Sequence, residues 1–252
     1  MKLNNMLRYL TLTFAISWSC WLLVVFLIKT AGIELFSPIG LSLYSLGAAS
    51  PMFSAWIVQR KYASKEEYHQ FKHGIANIKQ PISAYLLVGF LAWAFCFFPV
   101  LLGTSKQVAP VYVALQQLPI MIFFGGGLEE VGWRGYLLPE MQKKYSRFIS
   151  TCFVAAIWLC WHLPLWLVTG SGQDRMNFLV FALWVFSLAL LLTLIWNKYQ
   201  STLLCILLHA GFNSFSNVYP PDFNQVSVSG LLFLLCLGIY FLHDYLISKK
   251  VS

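Results

Sequence analysis

Two adjacent carboxylates and an arginine sit in the stretch Gly125-Gly126-Gly127-Leu128-Glu129-Glu130-Val131-Gly132-Trp133-Arg134, inside a sequence otherwise apolar enough to lie in lipid. There an ionisable side chain costs roughly 3 kcal/mol or more unless it has a partner or a task, so the stretch reads as a functional site. Glu130 and Arg134 are four residues apart on one helix face and can offset each other's burial. Glu129 lies about 100° round the same helix without such a partner, and is the carboxylate left free for chemistry. Two further segments carry polar groups in apolar surroundings. In Trp158-Leu159-Cys160-Trp161-His162-Leu163-Pro164, Trp158 stands one turn before His162; in Cys205-x-x-x-His209-x-x-x-Asn213, the spacing presents His209 and Asn213 together. Carboxylates and imidazoles at such depth move protons, as general acids and bases or as a relay, although each taken singly also reads as packing or a structural ion pair. Three such segments at compatible depth argue for one site rather than three accidents.

A spanning helix takes about 20 largely apolar residues, which predicts about eight: 7–28, 41–59 (interrupted by Pro51), 82–102, 119–141, 148–168, 177–196, the short 201–217, and 228–247. The expected fold is an all-α, polytopic membrane protein with a central polar cavity at membrane depth, one domain over residues 1–252. Counting ~1.5 Å per residue from the inner end of each span, Glu129 and His162 lie ~21 Å deep and His209 ~12 Å, which tilt can reconcile within a core ~30 Å thick. Glycines at 125, 126, 127, 132 and 135 strip bulk from around the acids, which predicts close approach by neighbouring helices or a substrate backbone. Gln116 and Gln117, between Pro110 and Pro119, would be poor lipid-facing residues.

The 252 residues are 59% hydrophobic and 10% charged, with a mean hydropathy of +0.69, values that exclude an ordinary soluble domain. The formal charge of +8 follows the expected topology. With eight spans and the N-terminus inside, 13 basic residues fall on the inner side (Lys2, Arg8, Arg60, Lys61, Lys65, Lys72, Lys79, Lys143, Lys144, Arg147, Lys198, Lys249, Lys250) against Lys29, Lys106 and Arg175 outside. Affinity for an anionic inner leaflet accounts for this balance, no nucleic-acid partner is implied, and both termini are expected in the cytoplasm. The apolar run from Tyr9 to Ile28 is too long for a signal peptide and lacks a small-residue cleavage site, so it reads as a retained first helix. Ser64-x-x-Glu67 is a capping-box pattern, followed by Tyr68, Phe71, Ile75 and Ile78 at near-helical spacing with a stop at Gly74. It predicts a short amphipathic helix on the inner surface, a connector rather than a substrate recruiter, with no role for His69 or His73. The six cysteines lie in apolar runs without CxxC spacing and read as small buried hydrophobes.

Glu-Glu-x-x-x-Arg at 129–134, an aromatic-x-x-x-His at 158–162 and His-x-x-x-Asn at 209–213, in that order on separate membrane helices, resemble the CPBP intramembrane proteases, the CAAX-processing and bacteriocin-processing group. The resemblance spans about residues 115–217 by motif, with Trp158 standing where the family commonly has Phe. It implies an intramembrane endopeptidase in which Glu129 and His162 activate water, His209 and Asn213 line an oxyanion site, and Glu130 and Arg134 brace the first pair. The family is often described as metalloproteases, which would make Glu129, His162 and His209 ligands for zinc or another divalent metal. The chain lacks a His-Glu-x-x-His motif, so a metal-free glutamate mechanism with the same residues stays open. The implied substrate is a peptide or a lipidated or membrane protein, in CAAX-type processing or in bacteriocin maturation and self-immunity, and the implied location is a bacterial plasma membrane. Two other readings use the same residues: a non-catalytic immunity or peptide-binding protein, and a proton-coupled transporter, for which the expected inverted repeats are not seen.

Overall fold

The computed structural model describes residues 2–251, with side chains from Asn4 to Leu246 and at Lys249; Lys2 and Lys250, assigned to the inner side, have side chains outside those described. Every regular element among them is helical. In chain order these are α1 (Lys2–Ala31), α2 (Pro38–Ala48), α3 (Ser50–Tyr62), α4 (Lys65–Ala76), α5 (Ile82–Leu101), α6 (Tyr112–Phe123), the short α7 (Glu130–Gly132) and α8 (Leu138–Gln142), α9 (Arg147–Trp161), α10 (Phe178–Tyr199), α11 (Thr202–Ser216) and α12 (Val226–Val251). Polar caps start many of them: side chains of Ser64, Ser146, Asn177 and Ser201 accept first-turn amides of α4, α9, α10 and α11. The predicted capping box at α4 forms in both directions, but the helix runs two residues past Gly74, which packs near Thr202 instead of ending it.

Among the described residues five helices are long and apolar enough to cross a membrane, and the α2–α3 pair, bent by 48° where Pro51 enters the first turn of α3, makes a sixth at most. The expected eight continuous spans are not reached. Residues 119–141 do not form one helix, because α6 stops before the triple glycine and the chain continues in short turns. At 15 residues α11 is only about 22 Å long, shorter than a hydrocarbon core of about 30 Å. The polytopic all-α character stands, with lipid-side leucines and phenylalanines such as Phe26, Leu86 and Leu234 exposed on α1, α5 and α12.

The basic segments collect at one end of the bundle. There Arg8 stacks on Tyr62 at 4.2 Å, Lys143 comes within 4.0 Å of Glu67, and Arg147 lies 3.7 Å from Asp244. At the opposite end, near Lys106 and Arg175, the Val108 amide donates to the Val218 carbonyl at 2.9 Å and the Asn177 amide to that of Phe223 at 3.3 Å. Between the ends, α11 is buried along most of its length and tryptophans interlock, Trp21 on Trp161 at 4.7 Å and Trp133 on Trp161 at 5.7 Å. The cysteines divide: Cys96, Cys205 and Cys236 are buried as expected, whereas Cys160 is exposed.

A cavity of about 550 Å³ opens at the basic end, between α4 and the segment that follows Arg134, with Phe71, His73, Gly135, Tyr136 and Thr202 among its walls. The central cavity was expected at the acids, yet Glu129, His162 and His209 are 6%, 7% and 5% exposed. Aromatic rings crowd the imidazoles, Trp158 at 5.2 Å from the His209 ring and Trp161 at 4.7 Å from that of His162.

Candidate active site

The acids owe their placement to a break in the helix. Gly126 adopts φ +100°, a left-handed conformation costly for any residue with a Cβ, and a Cβ there would also stand 2.8 Å from the His209 ring. From that kink a 3₁₀ turn over Gly127–Glu129, one α turn and a wide π turn over Trp133–Leu137 carry the chain past α11 and α9. The glycines do admit close neighbours, but these are the protein's own: Gly126 faces His209 and Asn213, Gly132 faces the Tyr9 hydroxyl and the Pro51 carbonyl, and Gly135 faces Thr202. Clearance for a substrate backbone at these glycines, the other expectation, is not provided.

Glu130 has two partners where one was expected. Its Oε1 accepts from Arg134 Nη1 at 3.1 Å and meets His209 Nδ1 at 2.8 Å, while its Oε2 lies 3.0 Å from the same guanidinium nitrogen. Glu130 and Arg134 are wholly buried, so each offsets the desolvation of the other. The depth difference between Glu129 and His209 inferred from a straight helix disappears, because the unwound segment brings Glu130 down to α11.

Glu129 is not without a partner either. Trp158 Nε1 donates to its Oε2 at 2.9 Å, and the backbone carbonyl of the same Trp158 meets His162 Nδ1 at 2.8 Å. A carbonyl can only accept, which assigns the proton to Nδ1 of His162 and leaves Nε2 with a lone pair. The Trp158 ring also lies 4.7 Å below the Arg134 guanidinium and 5.2 Å from the His209 ring. Trp158 thus ties both expected pairs into one layer, a role that its spacing from His162 hinted at but that only an indole N–H performs. No direct hydrogen bond joins His162 to Glu129 or to His209 among the described residues. Asn213 donates from Nδ2 to the Gly125 carbonyl, which holds the kink against α11 and leaves its second amide hydrogen.

The proposed metal set does not assemble in this geometry: no three His, Cys, Asp or Glu side chains among the described residues are grouped to hold an ion. His209 Nδ1 is engaged by Glu130, and His162 Nδ1 by a carbonyl. Cys205, which shares a face with His209, donates to the Leu192 carbonyl at 3.6 Å and acts as packing.

A bundle of membrane-length helices that buries two carboxylates and two imidazoles in one layer, with the half-buried Asn213 amide beside them, defines the class: a polytopic membrane protein with an internal polar layer. Within it, residues 110–215 match the family model described as Rce1-like, type II CAAX prenyl endopeptidase, a stretch that includes all three motifs. That segment is what the chain shares with the type II CAAX prenyl endopeptidases, and it covers less than half of the 252 residues. It is also similar to a protein of Methanococcus maripaludis named CAAX prenyl protease 2, 36% identical over 53 residues, which are 21% of this chain and 20% of the relative. The match therefore spans about a fifth of that relative's length.

Proposed function

We propose that the chain is a CAAX-type intramembrane endopeptidase that hydrolyses a peptide or membrane-associated protein by water held between Glu129 and His162. The observation that carries this reading is the double engagement of Trp158, which fixes Glu129 through its indole and His162 through its carbonyl. Those bonds leave the remaining lone pairs of Glu129 and Nε2 of His162 for one water. Glu129 takes the water's proton as hydroxide attacks the scissile carbonyl, and later returns it to the leaving amine. Asn213 with its unused amide hydrogen, and His209, face the developing oxyanion. Glu130 and Arg134 orient His209. Every step uses side chains of the chain itself and none is routed through a metal.

The acids and imidazoles are enclosed, so a peptide reaches them only when a neighbour moves. Helix α6, in which Ala114 is the one buried residue, packs on α11 beside the kink and exposes its other face. The basic end faces the cytoplasm in this reading, with both termini there.

Cleavage of lipidated CAAX peptides and of peptide precursors by purified protein in vesicles tests the proposal. Glu129→Ala and His162→Ala are each expected to lower turnover at least about 100-fold while the fold persists. Wild-type rates in either variant would overturn it, and repeating the assay with and without a zinc chelator decides the metal question separately.

A further inference from the structure

A protease site buried in lipid needs a supply of water, and one side of α1 bears on this. Asn5, Tyr9, Thr13 and Ser17 follow at intervals of four and form one polar stripe along an otherwise apolar helix. The stripe faces α3, whose buried Ser50, Ser54 and Gln59 continue it. Its far end is fully bonded: the Ser17 and Ser50 hydroxyls lie within bonding distance of each other and of the Thr13 carbonyl, the latter at 2.7 and 3.1 Å, so that one donates to the carbonyl and the other to its neighbouring hydroxyl or the same carbonyl, and Trp161, beside His162, donates its indole N–H to Ser17. The rest is not. Ser54 Oγ and Gln59 Oε1 are buried with no hydrogen-bond partner among the described residues, and Tyr9 Oη and Thr13 Oγ1 are buried beside each other without a well-formed bond. Buried polar atoms are nearly always paired, with protein or with internal water.

The stripe starts at the basic-end cavity, which Gln59 lines, and ends at Ser17, which Trp161 bonds beside His162. Gln59 and Tyr136 both line the 550 Å³ cavity and a second void of about 20 Å³ beside Asn5, room for about one water. The Tyr9 ring packs on Tyr136 at 4.9 Å, and its hydroxyl lies against Gly132, whose lack of a side chain admits it two residues after Glu130. We infer that the stripe from Gln59 through Tyr9, Ser54 and Thr13 is a water file that supplies the Glu129–His162 layer from the basic-end cavity. The assignment of water to hydrolysis rests on the proposed endopeptidase function; the file itself rests on the unpaired atoms and their alignment. An alternative is a polar seam that only glues α1 to α3, and the two differ in outcome.

Hydroxyl-radical labelling of the wild-type protein in vesicles reads internal water directly. Tyr9 is expected to react at least about tenfold faster than Trp21, an equally buried aromatic whose N–H is satisfied by the Tyr44 carbonyl, and Gln59→Leu is expected to slow Tyr9 alone. On a cleaved peptide, Tyr9→Phe and Thr13→Val are expected to lower kcat about tenfold with KM and thermal stability unchanged, because the hydroxyl lost is bonded to exchangeable water rather than holding α1 to α3. A glue seam predicts the reverse, lower stability with kcat per folded molecule intact. Equal labelling of Tyr9 and Trp21, or full turnover in both variants, overturns the file. Should the wild type cleave nothing, the function fails while labelling still decides the file.

Discussion

At Trp158 a single residue meets three demands: a donor for Glu129, a carbonyl for His162 and a ring face for Arg134. The other pivot is Arg134, whose guanidinium is the cationic partner of a carboxylate with no exposure to solvent. Removing it leaves Glu130 charged, buried and dependent on His209. Arg134→Ala is therefore expected to destabilise the protein by about 3–5 kcal/mol, measured as the unfolding midpoint in detergent. Arg134→Met combined with Glu130→Gln is expected to recover part of that loss, since no buried charge is then orphaned. At this scale the sequence was partly legible. The Glu130–Arg134 pair followed from spacing, but the bond from Glu130 to His209, 79 residues on, could not, because contacts between distant helices leave no periodic trace.

Among elements, the decisive one is the interrupted passage from α6 to α8. A continuous helix over 119–141 would have kept Glu129 about two turns deeper than His209; the kink at Gly126 removes that offset and sets Asn213 on the Gly125 carbonyl. Gly126→Ala places a methyl where the His209 ring stands and forces a left-handed φ on a residue with a Cβ. The expected result is a folded protein, less stable by about 1–3 kcal/mol, that binds substrate but has lost most of its turnover, read as kcat against KM. The triple glycine was visible as an anomaly in the sequence. Of its two readings, close approach by neighbouring helices or by a substrate backbone, the structure realises the first at Gly126, because glycine says that something approaches closely, not what approaches.

For the whole molecule, charge fixes an axis. Arg8, Lys143, Arg147 and the amphipathic α4 share one end, and the loop bearing Lys106 lies at the other. With the basic end cytoplasmic, a cysteine at position 106 is expected to react with a membrane-impermeant maleimide in intact cells and one at position 72 only after permeabilisation; the opposite pattern would invert the molecule. The 550 Å³ cavity also lies at the basic end, away from the buried acids, so access to them is a matter of motion rather than of an open groove.

Composition, the spacing of apolar runs and the three polar motifs sufficed to establish a helical membrane protein and to single out the polar residues that the structure brings into one buried layer, because burial in lipid makes every internal charge conspicuous and helical periodicity makes its local partner calculable. Tertiary structure alone decided how those residues meet: that Glu130 holds His209, that Trp158 joins Glu129 to His162, that the fourth passage is broken, and that α1 lays a polar stripe towards the acids. Those are contacts between segments far apart in the chain, set by backbone kinks and packing that local spacing does not encode.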